Sequence, residues 1–258
     1  MVLTFYKYQG TGNDFVMVDN RGESFPKNNI KLIASVCDRR FGVGADGLIL
    51  LENDTETDFK MVYYNSDGNQ STMCGNGGRC IVAFAKQLGI VARETSFMAI
   101  DGLHNATINE GIVSLQMQDV KELVKKEKYT FLDTGSPHHV QLIKNLEDFN
   151  VAKEGAKLRY GIYGEKGSNI NFVSKISEDI FSVRTYERGV EDETLACGTG
   201  VTAVALAMHS IGETSKTKLK VNVLGGELSV HFEEDADGYK KVFLIGAAKQ
   251  VFKGEIEC

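Results

Sequence analysis

Apolar and polar residues alternate over short stretches along most of the chain, a pattern that predicts β-strands. The strand stretches are 4–8, 15–19, 48–51 and 59–64 in the first half, and 131–134, 140–143, 171–173 and 181–186 in the second. Apolar residues at three- and four-residue spacing over 29–39 and 147–158 predict two amphipathic helices. Each half is therefore expected to combine several strands with few helices.

Two further helices are predicted where small and apolar residues cover nearly every face. They lie at 80–88 and 203–211, and a glycine, Gly89 or Gly212, follows each. A helix that is apolar all round is buried, so we expect strands to wrap around it. The predicted fold class is α+β. It has two pseudo-symmetric halves, each a curved, mostly antiparallel sheet or partial barrel around a central helix.

The two halves repeat one pattern at an offset of 123 positions. Cys74-Gly75-Asn76-Gly77 recurs as Cys197-Gly198-Thr199-Gly200. The same offset carries Gly12-Asn13 onto Gly135-Ser136, Gly44-Ala45-Asp46 onto Gly167-Ser168-Asn169, and Gly102 onto Gly225. The repeat predicts homologous halves at residues 1–122 and 123–247. The stretch 121–128, which mixes Glu with Lys, is interpreted as a solvated connector.

Composition excludes several classes of protein. The chain has 258 residues and a net charge of −6, which disfavours general nucleic-acid or anionic-membrane binding. Its apolar stretches are much shorter than the ~20 residues that span a bilayer. The N-terminus lacks a signal-peptide pattern, and five irregularly spaced cysteines do not resemble a secreted disulfide framework. A cytoplasmic protein with a small-molecule partner is the resulting expectation.

Cys74 and Cys197 are the strongest candidates for chemistry. Each directly precedes the glycine-rich start of a predicted helix, where the helix dipole favours a thiolate and lowers the thiol pKa. The exposed N–H groups of such a helix start can also bind a carboxylate or phosphate. Cys37 and Cys80 fall inside predicted helices, so we interpret them as packing residues.

Polar side chains near these cysteines form a second group of candidates. Glu187 and Arg188 follow a predicted strand and could bind an ammonium and a carboxylate, respectively. His138, at a predicted turn after Pro137, could orient a thiol. Four asparagines lie in glycine turns or at strand ends, where asparagine is also common for backbone reasons, and their role stays open: Asn13, Asn65, Asn169 and Asn171.

Two familiar motifs do not fit their usual function here. Gly42-Val43-Gly44-Ala45-Asp46-Gly47 matches a dinucleotide-binding pattern but follows a helix and precedes a strand, the reverse of the required order. Cys74 and Cys80 lack the spacing of a zinc knuckle. No metal site and no cofactor are predicted.

Taken in order, the glycine, asparagine and cysteine motifs resemble those of the diaminopimelate epimerase family, a branch of the cofactor-independent racemases and epimerases. The matching motifs are Gly12-Asn13-Asp14-Phe15, Gly44-Ala45-Asp46-Gly47, Asn65-Ser66-Asp67-Gly68, the segment 73–80, Thr134-Gly135-Ser136-Pro137-His138, Asn169-Ile170-Asn171-Phe172, Glu187-Arg188-Gly189 and Ala196-Cys197-Gly198-Thr199-Gly200. The tail 251–255 also fits.

The resemblance implies a pyridoxal-independent interconversion of LL- and meso-diaminopimelate in lysine and peptidoglycan precursor synthesis. It implies two pseudo-symmetric halves with the site in the cleft between them, closing on substrate, usually as a homodimer. It also implies that a last strand, about 248–258, returns to the first half.

The resemblance assigns a role to each candidate residue. Cys74 and Cys197 would be the acid and base on opposite faces of the substrate α-carbon. The remaining roles are thiol tuning by His138 and Glu187, binding of the reacting carboxylate by Gly75, Asn76, Gly198 and Thr199, contact with the reacting amine by Asn13 and Glu187, and recognition of the distal end by Asn65, Asn169 and Arg188.

Two positions depart from the family pattern. Ser136 stands where many members have Asn, and Gly47 where some have Gln. Both concern the distal end of the substrate. The leading alternative is therefore a racemase of the same superfamily that acts on histidine or another amino acid, with Ser136 in an altered pocket. A different class of function, a redox or structural cysteine pair in a small-molecule-binding protein, also stays open.

Overall fold

The computed structural model describes residues 2–71 and 73–258 and divides into two compact units. Unit 1 comprises Met1–Leu115 and Gly246–Cys258, and unit 2 comprises Gln116–Ile245. The described chain forms four helices: α1 (Ile30–Cys37), α2 (Gly75–Gln87), α3 (Val151–Tyr163) and α4 (Gly198–Ser210). No helix among the described residues is long and apolar enough to cross a membrane.

The strands follow the order of the chain. They are β1 (Val2–Gly10), β2 (Asn13–Asp19), β3 (Gly47–Glu52), β4 (Phe59–Asn65), β5 (Glu94–Ala99), β6 (Gly102–Asn109), β7 (Ile112–Gln116), β8 (Leu123–Lys125), β9 (Thr130–Asp133), β10 (Pro137–Leu142), β11 (Asn169–Lys175), β12 (Ile180–Glu187), β13 (Asp192–Thr194), β14 (Lys218–Val223), β15 (Gly226–Asp235), β16 (Gly238–Ala247) and β17 (Lys249–Glu257).

Unit 1 is built on one run of paired strands, β17–β1–β2–β3–β4–β5–β6–β7. The pairs β2–β3 and β4–β5 are parallel, and the others are antiparallel. Parallel neighbours need a long crossover connection, which α1 supplies between β2 and β3 and α2 between β4 and β5. The mostly antiparallel sheet predicted for this half is confirmed.

Unit 2 repeats this pairing in the same sequence of directions. Its strands run β8–β9–β10–β11–β12–β14–β15–β16, with β10–β11 and β12–β14 parallel. The helices α3 and α4 make the two crossovers, and β13 adds a short antiparallel partner to β12. The predicted α+β fold with two pseudo-symmetric halves is therefore confirmed.

In each unit one helix is enclosed by the sheet. Helix α2 contacts β1, β2, β3, β6 and β17, and α4 contacts β9, β10, β11, β12, β14 and β15. A helix that touches strands across most of a sheet requires the sheet to curve around it. The predicted burial of both helices follows, since every residue of α4 from Val201 to Met208 is buried.

The outer helix covers the opposite face of the sheet. In unit 1, Ile33 and Val36 of α1 pack in one cluster with Leu48 and Leu50 of β3. Because α2 covers the other face, all six residues of β3 are buried. A strand covered on both faces loses the polar alternation of a surface strand, which explains the continuous apolar run that marked it in the sequence.

Glycines allow the central helix to approach its strands. A Cβ on Gly77 would lie 3.0 Å from Ile49 Cδ1, and one on Gly78 would lie 2.8 Å from Leu115 Cδ2. Side chains at these positions would push α2 away from the sheet. The glycine-rich start of the helix therefore has a packing role as well as a chemical one.

Some sequence-based expectations differ from the structure. Helix α3 begins at Val151, four residues later than predicted, because the Asn150 side chain accepts a hydrogen bond from Lys153 N at 3.0 Å and caps it there. Cys37 is the last residue of α1, not a mid-helix residue, and it is buried. The strands β5, β13 and β14 were not among those predicted.

The stretch 121–128 is more than a connector. Its residues Leu123–Lys125 form β8, which pairs antiparallel with β9. In unit 1 the equivalent place beside β1 is taken by β17, the last strand of the chain. Polar and exposed side chains conceal β8 in the sequence, since a strand at the sheet edge does not need apolar residues on both faces.

Two glycines of α3 allow a matched test of this packing. A Cβ on Gly155 would lie 2.3 Å from Tyr186 Cβ, whereas one on Gly161 would meet nothing within 4 Å. We expect Gly155→Ala to lower the free energy of unfolding by about 1–3 kcal/mol through overpacking. Gly161→Ala should raise it by about 0.5–1 kcal/mol, because alanine favours the helix. Urea unfolding measures both, and changes of the same sign would contradict the packing of α3 on β12.

Candidate functional site

Cys74 lies at the N-cap of α2, as the sequence predicts. Its backbone is extended (φ −109°, ψ 128°), and its side chain makes no capping hydrogen bond to the helix. Gly75 and Asn76, the first two residues of the helix, are buried. The sulfur is therefore held beside the first turn, where the N–H groups of the helix favour negative charge.

Asn13, at the start of β2, connects Cys74 with Asn76. Its Oδ1 lies 3.6 Å from Cys74 Sγ and accepts a hydrogen bond from Asn76 Nδ2 at 3.3 Å. Three predicted site residues of unit 1 are thus brought together by one amide oxygen. The same amide donates through Nδ2 to Asp46 Oδ2, which fixes its orientation.

A network of charged residues supports this amide. Arg39 donates two hydrogen bonds to Asp14, at 2.7 and 3.0 Å, and one to Asp46 at 2.8 Å. Lys7 Nζ lies 2.6 Å from Asp14 Oδ2. Burial alone would raise the pKa of Asp14, but the hydrogen bonds from Arg39 and Lys7 outweigh it and lower the pKa to about 2.

Cys197 occupies the equivalent N-cap of α4. It is buried, with an extended backbone (φ −114°, ψ 109°), and its Sγ lies 3.5 Å from Thr199 Oγ1. Thr134 Oγ1 donates to Thr199 O at 2.9 Å and so fixes the first turn of α4 to the end of β9. Gly198, between the cysteine and the threonine, is also buried.

Gly200 brings a buried asparagine next to this thiol. A Cβ on Gly200 would lie 2.5 Å from Asn171 Oδ1 and 3.4 Å from Cys197 Sγ. The Asn171 amide therefore lies against the first turn of α4, close to Cys197. Its Oδ1 also accepts a hydrogen bond from Thr185 Oγ1 at 3.0 Å. Any side chain at position 200 would displace this amide.

His138 is a strand residue of β10, so its predicted position in a turn is wrong. It is fully buried, and Asn171 Nδ2 lies 3.1 Å from its Nδ1. Burial, together with the charge of Arg188, lowers the pKa of His138 to about 3. At neutral pH the ring is uncharged. With Asn171 donating to Nδ1, Nε2 carries the proton and faces Ser136 Oγ at 3.3 Å.

Ser136 and Asn169 continue this network toward Arg188. Asn169 Nδ2 donates to Ser136 Oγ at 2.8 Å, and Asn169 Oδ1 accepts from the backbone N–H of Arg188 at 2.9 Å. The Arg188 side chain is exposed and donates to Lys166 O at 3.1 Å. Four predicted site residues of unit 2 thus belong to one chain of hydrogen bonds.

A partly buried ion pair fixes the loop that carries Arg188. Arg159 of α3 donates to Glu191 at 3.1 and 3.0 Å, and Glu191 Oε1 also accepts from Gly189 N at 3.1 Å. Glu191 has a positive φ of 59°, a conformation unusual for glutamate. Glu187, at the end of β12, begins the same turn, because Glu191 N donates to its carbonyl at 2.8 Å.

Asn65 and Gly47 face each other across the β3–β4 pair at the ends of the strands. Asn65 is exposed, and its described hydrogen bonds are made by its backbone. A Cβ on Gly47 would lie 2.4 Å from Tyr64 O and 2.5 Å from Tyr63 Cε2. The Tyr63 ring thus fills the space that a longer side chain at position 47 would need.

The structure adds Asp46 and Arg79, which the sequence analysis did not select as site residues, and gives a role to Asn171, which it left open. Asp46 and Asn171 hold Asn13 and His138, respectively, and Arg79 is buried beneath the first turn of α2. The repeat offers a signal for the first of these. Asp46 occupies the position equivalent to Asn169, so the Asn13–Asp46 bond corresponds to the Ser136–Asn169 bond.

Comparison with known proteins identifies close relatives along the whole chain. The diaminopimelate epimerase family model matches residues 5–126 and again 130–251, so each half carries the family pattern. The diaminopimelate epimerase of Flavobacterium psychrophilum is 62% identical, with 98% of this chain and 100% of the relative covered. The diaminopimelate epimerase of Aquifex aeolicus is 41% identical, with 98% of each chain covered.

Solved structures share the fold at low sequence identity. A PhzF-family phenazine biosynthesis protein from Bacillus anthracis superposes with a TM-score of 0.81 at 13% identity, covering 100% of both chains. A hydroxyproline epimerase from Agrobacterium vitis gives a TM-score of 0.68 at 13% identity, covering 99% of this chain and 92% of that one. At this level of identity the likeness concerns the fold alone.

The charged network around Asn13 predicts a pH-dependent contribution to stability. Asp14→Asn should lower the free energy of unfolding at pH 7 by about 1–2 kcal/mol, because it removes charge-assisted hydrogen bonds. The pKa of Asp14 is depressed in the folded state, so this stability is present above the unfolded pKa near 4. It is lost as the pH falls toward 2.

Urea unfolding of the wild type and the variant at several pH values checks this. The difference between the two proteins should narrow between pH 5 and pH 2. A difference that is independent of pH would show that the Asp14 carboxylate does not contribute through its ion pairs.

Proposed function

This chain belongs to the diaminopimelate epimerase family, and we propose that it interconverts LL- and meso-diaminopimelate by proton transfer at one α-carbon. The observation that carries the proposal is the repeated N-cap cysteine at the start of an enclosed helix, in a chain 62% identical to a diaminopimelate epimerase. Family membership makes the protein an isomerase of the epimerase type.

Inversion at an α-carbon requires a base on one face and an acid on the other. Cys74 and Cys197 fit these two roles, because a thiolate and a thiol exchange roles when the reaction runs backward. The mechanism requires both sulfurs to reach one α-carbon from opposite faces. No cofactor is needed in this scheme, since each proton moves directly between sulfur and carbon.

The carbanion needs its negative charge spread into the substrate carboxylate. We assign that carboxylate to the first turns of the two central helices, at Gly75-Asn76 and Gly198-Thr199, where backbone N–H groups and helix dipoles favour an anion. Asn13 and Glu187 are assigned to the reacting amine. His138, uncharged and fully buried, is assigned to tuning the thiol as a neutral ring through Asn171, to which it is hydrogen-bonded.

The distal end of the substrate is a second amino-acid group with both charges. Arg188, exposed on a loop fixed by the Arg159–Glu191 pair, suits its carboxylate. Asn169 and Asn65 are assigned to the same end. Ser136 supplies a hydroxyl in place of an amide, but Asn169 uses that hydroxyl as an acceptor, which keeps the position polar and ordered.

We further propose that the enzyme is a cytoplasmic homodimer, as the family resemblance implies. Sedimentation equilibrium of the purified protein tests the oligomeric state. The racemase alternative is tested by assaying LL-diaminopimelate beside L-histidine and other L-amino acids. Turnover of histidine at a rate comparable to that of diaminopimelate would favour the alternative.

The two-thiol mechanism predicts the origin of the α-hydrogen. In deuterium oxide, early product should carry deuterium at the α-carbon while the remaining LL-diaminopimelate stays largely protiated. The delivered proton comes from a second thiol that has already exchanged with solvent, whereas a single base would return some original hydrogen. Mass spectrometry and proton NMR of early product measure this.

Cysteine variants provide the matched controls. Cys74→Ala and Cys197→Ala should each abolish epimerisation, because each removes proton transfer on one face. Cys37→Ala, a buried cysteine in the outer helix of unit 1, should retain activity. Substantial return of substrate hydrogen to the product, or full activity of either active-site variant, would exclude the mechanism even if the substrate is correct.

Recognition of the distal end predicts strong discrimination between substrates. L-Alanine lacks that end and should be turned over poorly or not at all. Arg188→Met should lower kcat/KM for LL-diaminopimelate about ten- to a hundred-fold, the loss expected for a charged hydrogen bond. Arg40→Met, at another exposed arginine, is the control and should leave kcat/KM unchanged. Comparable kcat/KM for alanine and LL-diaminopimelate would refute the assignment of Arg188.

A further inference from the structure

Arg79 is a buried cation whose charge the scheme above does not use. Its side chain is fully buried in the second turn of α2, five residues after Cys74. Burial lowers the pKa of the guanidinium, but an arginine keeps its proton in a protein. A charge in this position is costly unless a group of opposite charge compensates for it.

The described neighbours of Arg79 supply hydrogen bonds but not a carboxylate. Its Nη2 donates to Thr11 Oγ1 at 2.7 Å, and its Nη1 lies 3.5 Å from Gly75 O. Nε is buried and makes no hydrogen bond within the described residues. Other arginines of the described chain pair with carboxylates, as Arg39 does with Asp14, whereas Arg79 forms no ion pair with a described carboxylate.

Four ionisable groups lie close enough to interact with Arg79 or with Cys80 beside it. One of them, the buried Tyr8, stays neutral because burial raises its pKa to about 12. Asp14 is already neutralised by Lys7 and Arg39. Cys80, which flanks the guanidinium beneath Gly10, is fully buried, and burial raises the pKa of its thiol to about 12, so it stays neutral. Cys74 is the remaining group. Its Sγ lies 3.6 Å from Asn13 Oδ1, and the guanidinium contacts Thr11 and Gly75, so sulfur and guanidinium both lie against the β1–β2 turn and the start of α2.

We propose that Arg79 is the buried counter-cation of a Cys74 thiolate and so makes Cys74 the thiol that is ionised before substrate binds. Arg79 is a positioning residue in this proposal, because it acts through Cys74 and not on the substrate. The proposal rests on the proposed function only for the role of that thiolate as the base.

The second half lacks this cation. The repeat places Thr202 in α4 where α2 has Arg79, and Thr202 Oγ1 donates to Gly198 O at 3.1 Å. Both side chains thus contact the carbonyl of the first helical residue, but one brings a charge and the other a neutral hydroxyl. The two cysteines are equivalent in backbone position, but the helix residue five positions after each is charged in unit 1 and neutral in unit 2.

The test is the pH dependence of Cys74 alkylation by iodoacetamide in the ligand-free protein, followed by peptide mass mapping. Only the thiolate reacts, so the midpoint of the rate reports its ionisation. In Arg79→Met the midpoint should rise by about one pH unit or more, so alkylation below both midpoints should slow about ten-fold or more. Arg79→Lys should restore most of the rate, and the midpoint of Cys197 should move less than that of Cys74.

The Thr11→Val variant separates the effect of the Arg79 charge from the effect of its hydrogen bond to the β1–β2 turn. It removes the hydrogen bond that ties Arg79 to the turn between β1 and β2 but leaves the cation in place. The Cys74 midpoint in this variant should stay near the wild-type value. An equal shift in Thr11→Val and Arg79→Met would show that Arg79 holds the turn and would overturn the electrostatic proposal, as would a folded Arg79→Met with an unchanged midpoint.

Two further measurements keep the proposal open to refutation. Arg79→Gln is neutral but can still donate to Thr11, and it replaces Arg79→Met if that variant does not fold. In the wild type, thiolate absorbance at 240 nm must titrate below the ordinary thiol pKa of about 8.5. A higher value would overturn the proposal without any variant. Because neither measurement needs a substrate, failure here would leave the assignment of the epimerase reaction untouched, and failure of that assignment would leave the midpoints unchanged.

Discussion

In each unit a cysteine lies at the first turn of a helix whose sides are covered by strands, and the rest of the unit is arranged to make this possible. An enclosed helix start leaves backbone N–H groups without helical partners in a place that water reaches poorly, which favours a negative charge nearby. The sheet can curve closely around this turn because glycines replace side chains at Gly77, Gly78 and Gly200. The glycines that allow this close packing therefore lie in the same helix starts that carry the two cysteines.

The duplicated halves share one backbone arrangement but place different side chains at equivalent positions near their cysteines. Asn13 and Asp46 in unit 1 correspond to Ser136 and Asn169 in unit 2, and each pair is joined by a side-chain hydrogen bond. The charge differs, since unit 1 surrounds its pair with Lys7, Arg39 and Asp14, whereas unit 2 uses neutral amides and an uncharged histidine. Duplication supplies one cysteine at a helix start in each unit, and the side chains around the two cysteines have diverged.

The fold was predictable wherever burial leaves a periodic pattern. The buried strand β3, the apolar helix α4 and the offset between the cysteine motifs are visible in the sequence, because each depends on residues that face a core on one or both sides. Elements with exposed side chains were missed. In the sequence, β8 looks like a charged connector. Its pairing with β9 depends on backbone hydrogen bonds, which any residue type can make and which the sequence therefore does not reveal.

The sequence by itself determined the family, the α+β class, the duplication and the two cysteines at helix starts. Motif spacing and hydrophobic periodicity can be read from the amino-acid sequence alone. Only the tertiary structure decided which polar side chains support those cysteines. Arg79 looks like any helix arginine until its guanidinium is found buried, and His138 looks like a turn residue until β10 buries it beside Asn171. Burial and hydrogen-bond partners depend on residues far apart in the chain, so the charge state of such groups is set by the folded structure.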